Sequence, residues 1–209
     1  MKKRLDKLKK NIKINKNLFV FLAVLVIIAV TSGAIFSSIL SQSDKALVKE
    51  YMNDFLKELE TGNITNSSSL INTLTFTSGF TFLIWIFGIS IIGIILIIPF
   101  LFLKSFILGF TIGSIITNFK FKGIILSFIY IMPHHIINIL IYILISSYGI
   151  IVSYKLMNSF KNKKVFDFKK IMNKYTYILI FSEILLIISG IYETYAVPYI
   201  IKFVLKIIK

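Results

Sequence analysis

The chain contains no cysteine. That removes disulfides, thiolate catalysis and cysteine-ligated metals together. Charge is scarce as well, at 16% of 209 residues, where a soluble domain carries about 25%. There are only two histidines, three prolines, one tryptophan and one arginine. The histidines are adjacent, His134 and His135, and neighbours on a helix point about 100° apart, so they do not readily chelate one metal together. No phosphate-cradling Gly…Gly-Lys-Ser/Thr loop and no His-Glu-x-x-His helix occurs in the sequence, which excludes nucleotide binding and zincin-type proteolysis by those routes. Pairs such as Ser90 with His134, or Ser114 with His134, are chance-level matches to a serine-histidine arrangement. The chain is read as non-enzymatic, with no cofactor and no metal.

What is present is apolar. Hydrophobic residues make up 56% and mean hydropathy is +0.85. A water-facing exterior cannot be built from this composition, and disorder would need low hydrophobicity. The expected fold class is all-α, a polytopic helical membrane bundle with about five spans, four to six being compatible with the length. The net charge of +15 comes from lysines placed between apolar runs, where they orient helices and meet anionic lipid headgroups. Membrane lipid is therefore the expected partner, and nucleic acid is not.

The uncharged runs predict the layout as a single membrane domain over residues 1–209. Residues 1–17 form a basic amino terminus, 18–40 span 1, and 41–79 an outer loop. That loop carries an amphipathic helix over 44–60, capped by Ser43 and ending before Gly62. Span 2 is expected over 80–103, with Pro99 near its end. A short span 3 follows over 105–119. Span 4 covers 123–154 and should kink or break at Pro133. Residues 155–174 form a lysine-rich loop, 175–192 span 5 and 193–209 the tail. A re-entrant element around 105–132 is the main rival for the middle. Leu18–Leu40 reads as an uncleaved signal anchor, because its basic and apolar regions are long for a cleaved signal peptide. With the amino terminus cytoplasmic, 16 basic residues fall inside and 8 outside, the bias expected of a chain with its amino terminus in and its carboxyl terminus out.

Within the spans, polar and small residues stand out. An ionisable group in hydrocarbon costs roughly 2.5–3.5 kcal/mol on insertion scales and usually faces the bundle or a cavity. Glu183 sits mid-span, with His134, Asn138 and Lys104 as candidate partners in a hydrogen-bond cluster or polar path. Gly109-x-x-x-Gly113 is a small-xxx-small packing pattern. It can join another span of this chain or a second copy, so a homo-oligomer stays open. On the outer helix, Leu47, Tyr51 and Phe55 recur every four residues as one apolar face. This face can pack on the bundle, lie on the membrane or bind a partner.

One stretch is more specific. The run Trp85-Ile-Phe-Gly88-Ile-Ser90-Ile-Ile-Gly93, then Pro99, then Lys104-Ser-Phe-Ile-Leu-Gly109-Phe-Thr111-Ile-Gly113, then Pro133-His134 resembles the stage II sporulation protein M family. The resemblance covers about residues 10–160 and is best over 80–140. It implies a non-catalytic scaffold of the septal and engulfing mother-cell membrane in endospore-forming bacteria. Its implied partners are stage II sporulation proteins D and P, which degrade peptidoglycan during engulfment. An alternative reading is a small membrane subunit of a peptide (bacteriocin) export or immunity system.

Overall fold

The computed structural model describes residues 16–61, 66–162, 167–196 and 199–200. The basic amino terminus up to residue 15, residues 62–65 of the outer loop and the tail beyond residue 200 lie outside them. The elements are α1 (Lys16–Ser38), α2 (Gln42–Thr61), α3 (Asn66–Ile89), α4 (Gly93–Leu126), a π-helical segment (Ser127–Ile131), α5 (Met132–Asn162), α6 (Phe168–Ile191) and a second π-helical segment (Tyr192–Ala196). Among the described residues no strand occurs, and five helices are long and apolar enough to cross a membrane. Their large outward side chains are apolar, for example Ile27, Ile95, Ile107 and Phe128. A bilayer tolerates such a surface and water does not. The expectation of an all-α membrane bundle of about five spans is met, and the chain is a multi-pass membrane protein.

The helix boundaries differ from the sequence expectation in three places. First, the Ser/Thr-rich stretch expected to be loop is helical from Asn66 onward, as part of α3. Its hydroxyls bond their own helix: Thr75 Oγ1 donates to Ile71 O (2.7 Å), Thr77 Oγ1 to Thr73 O (2.7 Å) and Thr81 Oγ1 to Thr77 O (3.1 Å). Polar side chains satisfied in this way cost little in an apolar setting. Second, the expected span 80–103 is cut by a turn at Ser90–Ile92. There Ser90 N donates to Phe87 O (2.9 Å) and Gly93 N to Ser90 O (3.1 Å). A side chain on Gly93 would collide with the Phe87 carbonyl, so glycine permits the reversal. Third, span 3 is not short. α4 runs straight through Lys104, which sequence placed between two spans, and carries Pro99 in its second turn.

Lys120 marks the next reversal, with φ 51° and ψ −125° inside the nominal limits of α4. Beyond it the chain doubles back: a Cβ on Gly123 would strike the Ile115 carbonyl, and Ile115 packs in one cluster with Ile131. The outcome is a full helical hairpin rather than a re-entrant loop. The π-helical segment Ser127–Ile131 ends two residues before Pro133. Proline lacks the N–H that would close the regular ladder, and a one-turn π segment accommodates that loss.

Helix directions follow from which residues meet. Gly33 sits on Phe106 and Phe110, Gly109 on Val30, and Gly113 on Ala34 and Ser37, so α1 and α4 run parallel. Ala29, Gly33 and Ser37 are buried on α1 at four-residue spacing, and Gly33 and Ser37 meet the stretch of α4 that carries Gly109 and Gly113. This is a small-residue seam that brings two backbones into contact, and it is the most extensive helix pairing in the fold. Helix α5 is central: 67% of its apolar window is buried, against 33% or less in the other four spans. Beside α5, α3 runs parallel, bringing Gly88 to Gly149 and Phe80 to Tyr142. α6 runs antiparallel to α5, with Ser189 at His134 and Lys174 at Tyr148.

Helix α2 stands apart from these five. Its amino-terminal cap is Ser41, two residues before the Ser43 expected from sequence. Ser41 Oγ accepts from Asp44 N (3.2 Å) and donates to Asp44 Oδ2 (2.6 Å). Met52 packs against the cluster around Ile115 and Ile131. Leu47 and Tyr51 are exposed.

Candidate functional site

The polar residues of the spans gather around one face of α5. His134, Asn138, Tyr142 and Ser146 recur every fourth residue, which places them on one side of a helix. None is more than 3% exposed. A charged or hydrogen-bonding side chain at such depth in an apolar bundle needs partners. The neighbouring helices supply some of them.

At one end of this face, His134 Nε2 lies 3.7 Å from Glu193 Oε2, an ion pair when the imidazole is protonated. Ser189 Oγ donates to the His134 carbonyl (3.4 Å). The His134 and His135 rings stack at an angle with centroids 4.2 Å apart. From α4, Lys104 Nζ sits over the Phe80 ring at 5.3 Å, a cation–π contact whose strength grows on desolvation. Phe80 is held between Phe100 (4.8 Å, stacked) and Tyr142 (4.7 Å, edge-on). Lys104 is also within electrostatic reach of Glu193 and His135. A cavity of about 100 Å³ lies beside Lys104 and His135, lined also by Thr77, Thr111, Asn138 and Tyr142. Next to it a mainly apolar groove of about 270 Å³ runs between α1, α4 and α5, and His135 borders both.

The structure thus draws together Lys104, His134 and Asn138. It does not give Glu183 the partners expected from sequence: the polar side chain beside that carboxylate is Ser78 of α3. The acid facing His134 is Glu193, ten residues further on. The sequence signal for it was modest, an acid just past the apparent end of the last span. Helical structure continues beyond Ile191 through the π segment, and this carries Glu193 to the cluster. Tyr142 was also not anticipated, because a tyrosine in an apolar run reads as core. Gly109 and Gly113 belong to the α1–α4 seam, and Pro133 sits at the junction of the π segment with α5. Of the outer-helix residues, Leu47 and Tyr51 are exposed. Phe55 lies within α2, and its side chain is outside the described residues.

At the opposite end the bundle is closed by apolar packing. Ile84, Ile97, Ile145 and Tyr175 are at most 1% exposed, and Tyr175 OH donates to the Ile84 carbonyl (3.2 Å). Gly88 and Gly149 allow this close approach: a Cβ on Gly88 would lie 2.7 Å from Gly149 Cα. Among the described residues no group of three or more His, Asp or Glu is arranged to hold a metal ion.

The chain matches no curated relative and no solved structure. The family model described as stage II sporulation protein M matches residues 18–198, from the start of α1 to beyond the second π segment. That match spans most of the sequence, and the chain belongs to the stage II sporulation protein M family.

Proposed function

We propose that this chain is a membrane scaffold of endospore formation that acts in engulfment by holding peptidoglycan-degrading partners at the septal membrane. The carrying observation is the family match over residues 18–198. It is joined by the exposed apolar positions Leu47 and Tyr51 on α2, a helix tied to the bundle through Met52. A helix anchored on one face with apolar side chains on another can receive a partner segment. Stage II sporulation proteins D and P are the proposed partners, and the outer side of the mother-cell membrane is the proposed place. The bundle fixes the protein in the membrane, and α2 offers the docking surface.

Peptide export is less well supported. The polar cavity, at about 100 Å³, is below the roughly 300–1,000 Å³ of ordinary small-molecule sites.

The test is a detergent pull-down of tagged protein from sporulating cells, read by mass spectrometry for the two wall-cutting proteins. Both should co-purify with the wild type. The Leu47→Lys/Tyr51→Lys variant should insert normally and lose them. An ATPase and a precursor peptide in place of the hydrolases would overturn the scaffold reading. Unchanged recovery with the double variant would remove α2 from it.

A further inference from the structure

We propose that the cavity beside Lys104 is a hydrated site inside the membrane bundle that exchanges protons with the aqueous phase at the Glu193 end. The proposal is independent of the scaffold reading and of any partner.

The argument begins with polar atoms. Asn138 Oδ1 and Tyr142 OH line the cavity, are buried, and find no hydrogen-bond partner among the described residues. Thr194 Oγ1, Ser146 Oγ, Ser182 Oγ and Glu183 Oε1 are also buried without a partner among the described residues. A buried polar group without a partner costs about 1–3 kcal/mol by protein mutational data. A water needs roughly 10–15 Å³ of accessible volume and two to four polar partners. The cavity of about 100 Å³ meets the first requirement several times over. Lys104, His135, Asn138, Tyr142, Thr77 and Thr111 meet the second. Water there supplies hydrogen bonds that the protein does not, and it solvates the Lys104 ammonium, which otherwise faces an aromatic ring.

The titratable groups of this cluster are Lys104 from α4, His134, His135 and Tyr142 from α5, and Glu193 from the final π segment, with Glu183 of α6 within electrostatic reach of Tyr142. From α3 come only hydroxyls, those of Thr77 and Ser78. The proton step is balanced in charge. Within the pair, passage of the proton from His134 Nε2 to Glu193 Oε2 turns an imidazolium–carboxylate pair into a neutral pair at constant net charge; exchange with the aqueous phase follows when a hydronium ion gives a proton to the pair and leaves as water, raising the bundle's charge by one. Neutral pairs are the favoured state in a low-dielectric interior. Water exchange is through the Glu193 end, because the Ile84, Ile97, Ile145 and Tyr175 packing closes the other.

The chain's lack of cysteine makes a direct test available. Single variants Asn138→Cys, Thr111→Cys, Ile84→Cys and Ile145→Cys are prepared in the full chain and reconstituted in vesicles. Each is treated with Ag⁺, a thiol-reactive cation small enough to follow water. Surviving thiols are then counted with a maleimide after denaturation. Cysteines at 138 and 111 should be consumed, and those at 84 and 145 should survive. Protection at both 138 and 111 in properly folded protein would overturn the hydrated site. Two independent cavity positions on different helices guard against one variant misfolding.

The proton step is read separately, by infrared titration of the wild type in deuterated buffer. A carboxyl C=O band should titrate reversibly, disappear in Glu193→Gln and persist in Glu183→Gln. An unaltered spectrum in Glu193→Gln would overturn proton exchange at Glu193.

Discussion

At the residue scale the glycines separate into those that are walls and those that are not. Gly109 has the Val30 backbone where its Cβ would be, and a Cβ on Gly113 would lie 2.7 Å from Ala34 Cα. Backbone cannot retreat as a side-chain tip can. Overpacking of this kind costs about 1–3 kcal/mol or more. Gly109→Leu and Gly113→Leu should each sharply lower accumulation and thermal midpoint in detergent. Gly79 has nothing within 4 Å of its would-be Cβ and lies inside α3. Gly79→Ala should be neutral or stabilising by about 0.5–1 kcal/mol, since alanine loses less backbone freedom in a helix. The pair of results, read by the same thermal assay, distinguishes packing from a general intolerance of glycine replacement. Tyr175 makes a different point. Its hydroxyl donates to a buried carbonyl 91 residues away. Tyr175→Phe keeps the ring packing and should cost about 0.5–1.5 kcal/mol, the net worth of one buried hydrogen bond.

At the element scale the caps and breaks explain where each helix starts and stops. Ser41 caps α2, and Asp167 caps α6 by accepting from Lys170 N (3.2 Å). Asp167 is the acid in the lysine-rich segment 155–174, and its position is that of a helix start. Ser41→Ala should destabilise α2 by about 0.5–2 kcal/mol. Because α2 reaches the bundle through Met52, the loss should show as faster amide exchange over 42–50, with the spans unchanged. The two interhelix reversals have different causes. Ser90–Ile92 turns because its backbone groups pair locally and Gly93 leaves room. Lys120 turns by adopting a positive φ, costly for a residue with a Cβ. In return, the following helix packs against the preceding one.

At the scale of the whole molecule, the parallel pairing of α1 with α4 and the antiparallel hairpins fix the relative sidedness of every span. The segments around Ser90–Ile92, 155–162 and 167–174 share one face with Lys16. Lys120, α2 and the end of α6 share the other. The lysine bias then predicts the absolute sense, with the Lys16 face cytoplasmic. In intact cells, Lys120→Cys should be labelled by an impermeant maleimide, and Lys161→Cys should be labelled only after permeabilisation. The reverse pattern would invert the topology. Labelling of both from outside would contradict the helix directions themselves.

Much of this was legible in the sequence, for a simple reason. Long uncharged runs can only be buried in lipid or protein, and in lipid a helix is the way to satisfy the backbone within one segment. Class, span number and the reversal near Lys120 follow from that constraint and from where charge is tolerated. The span limits around residues 66–103 did not follow, because hydroxyls that bond their own helix look like loop residues, and a three-residue turn inside an apolar run leaves no charge to mark it. The polar cluster was half legible. Lys104, His134 and Asn138 announce themselves as polar residues in hydrocarbon. That Glu193 rather than Glu183 meets His134 depends on the register of α6 against α5 and on the helical continuation past Ile191. Register is set by side-chain packing between helices distant in sequence, and tertiary structure alone decides it.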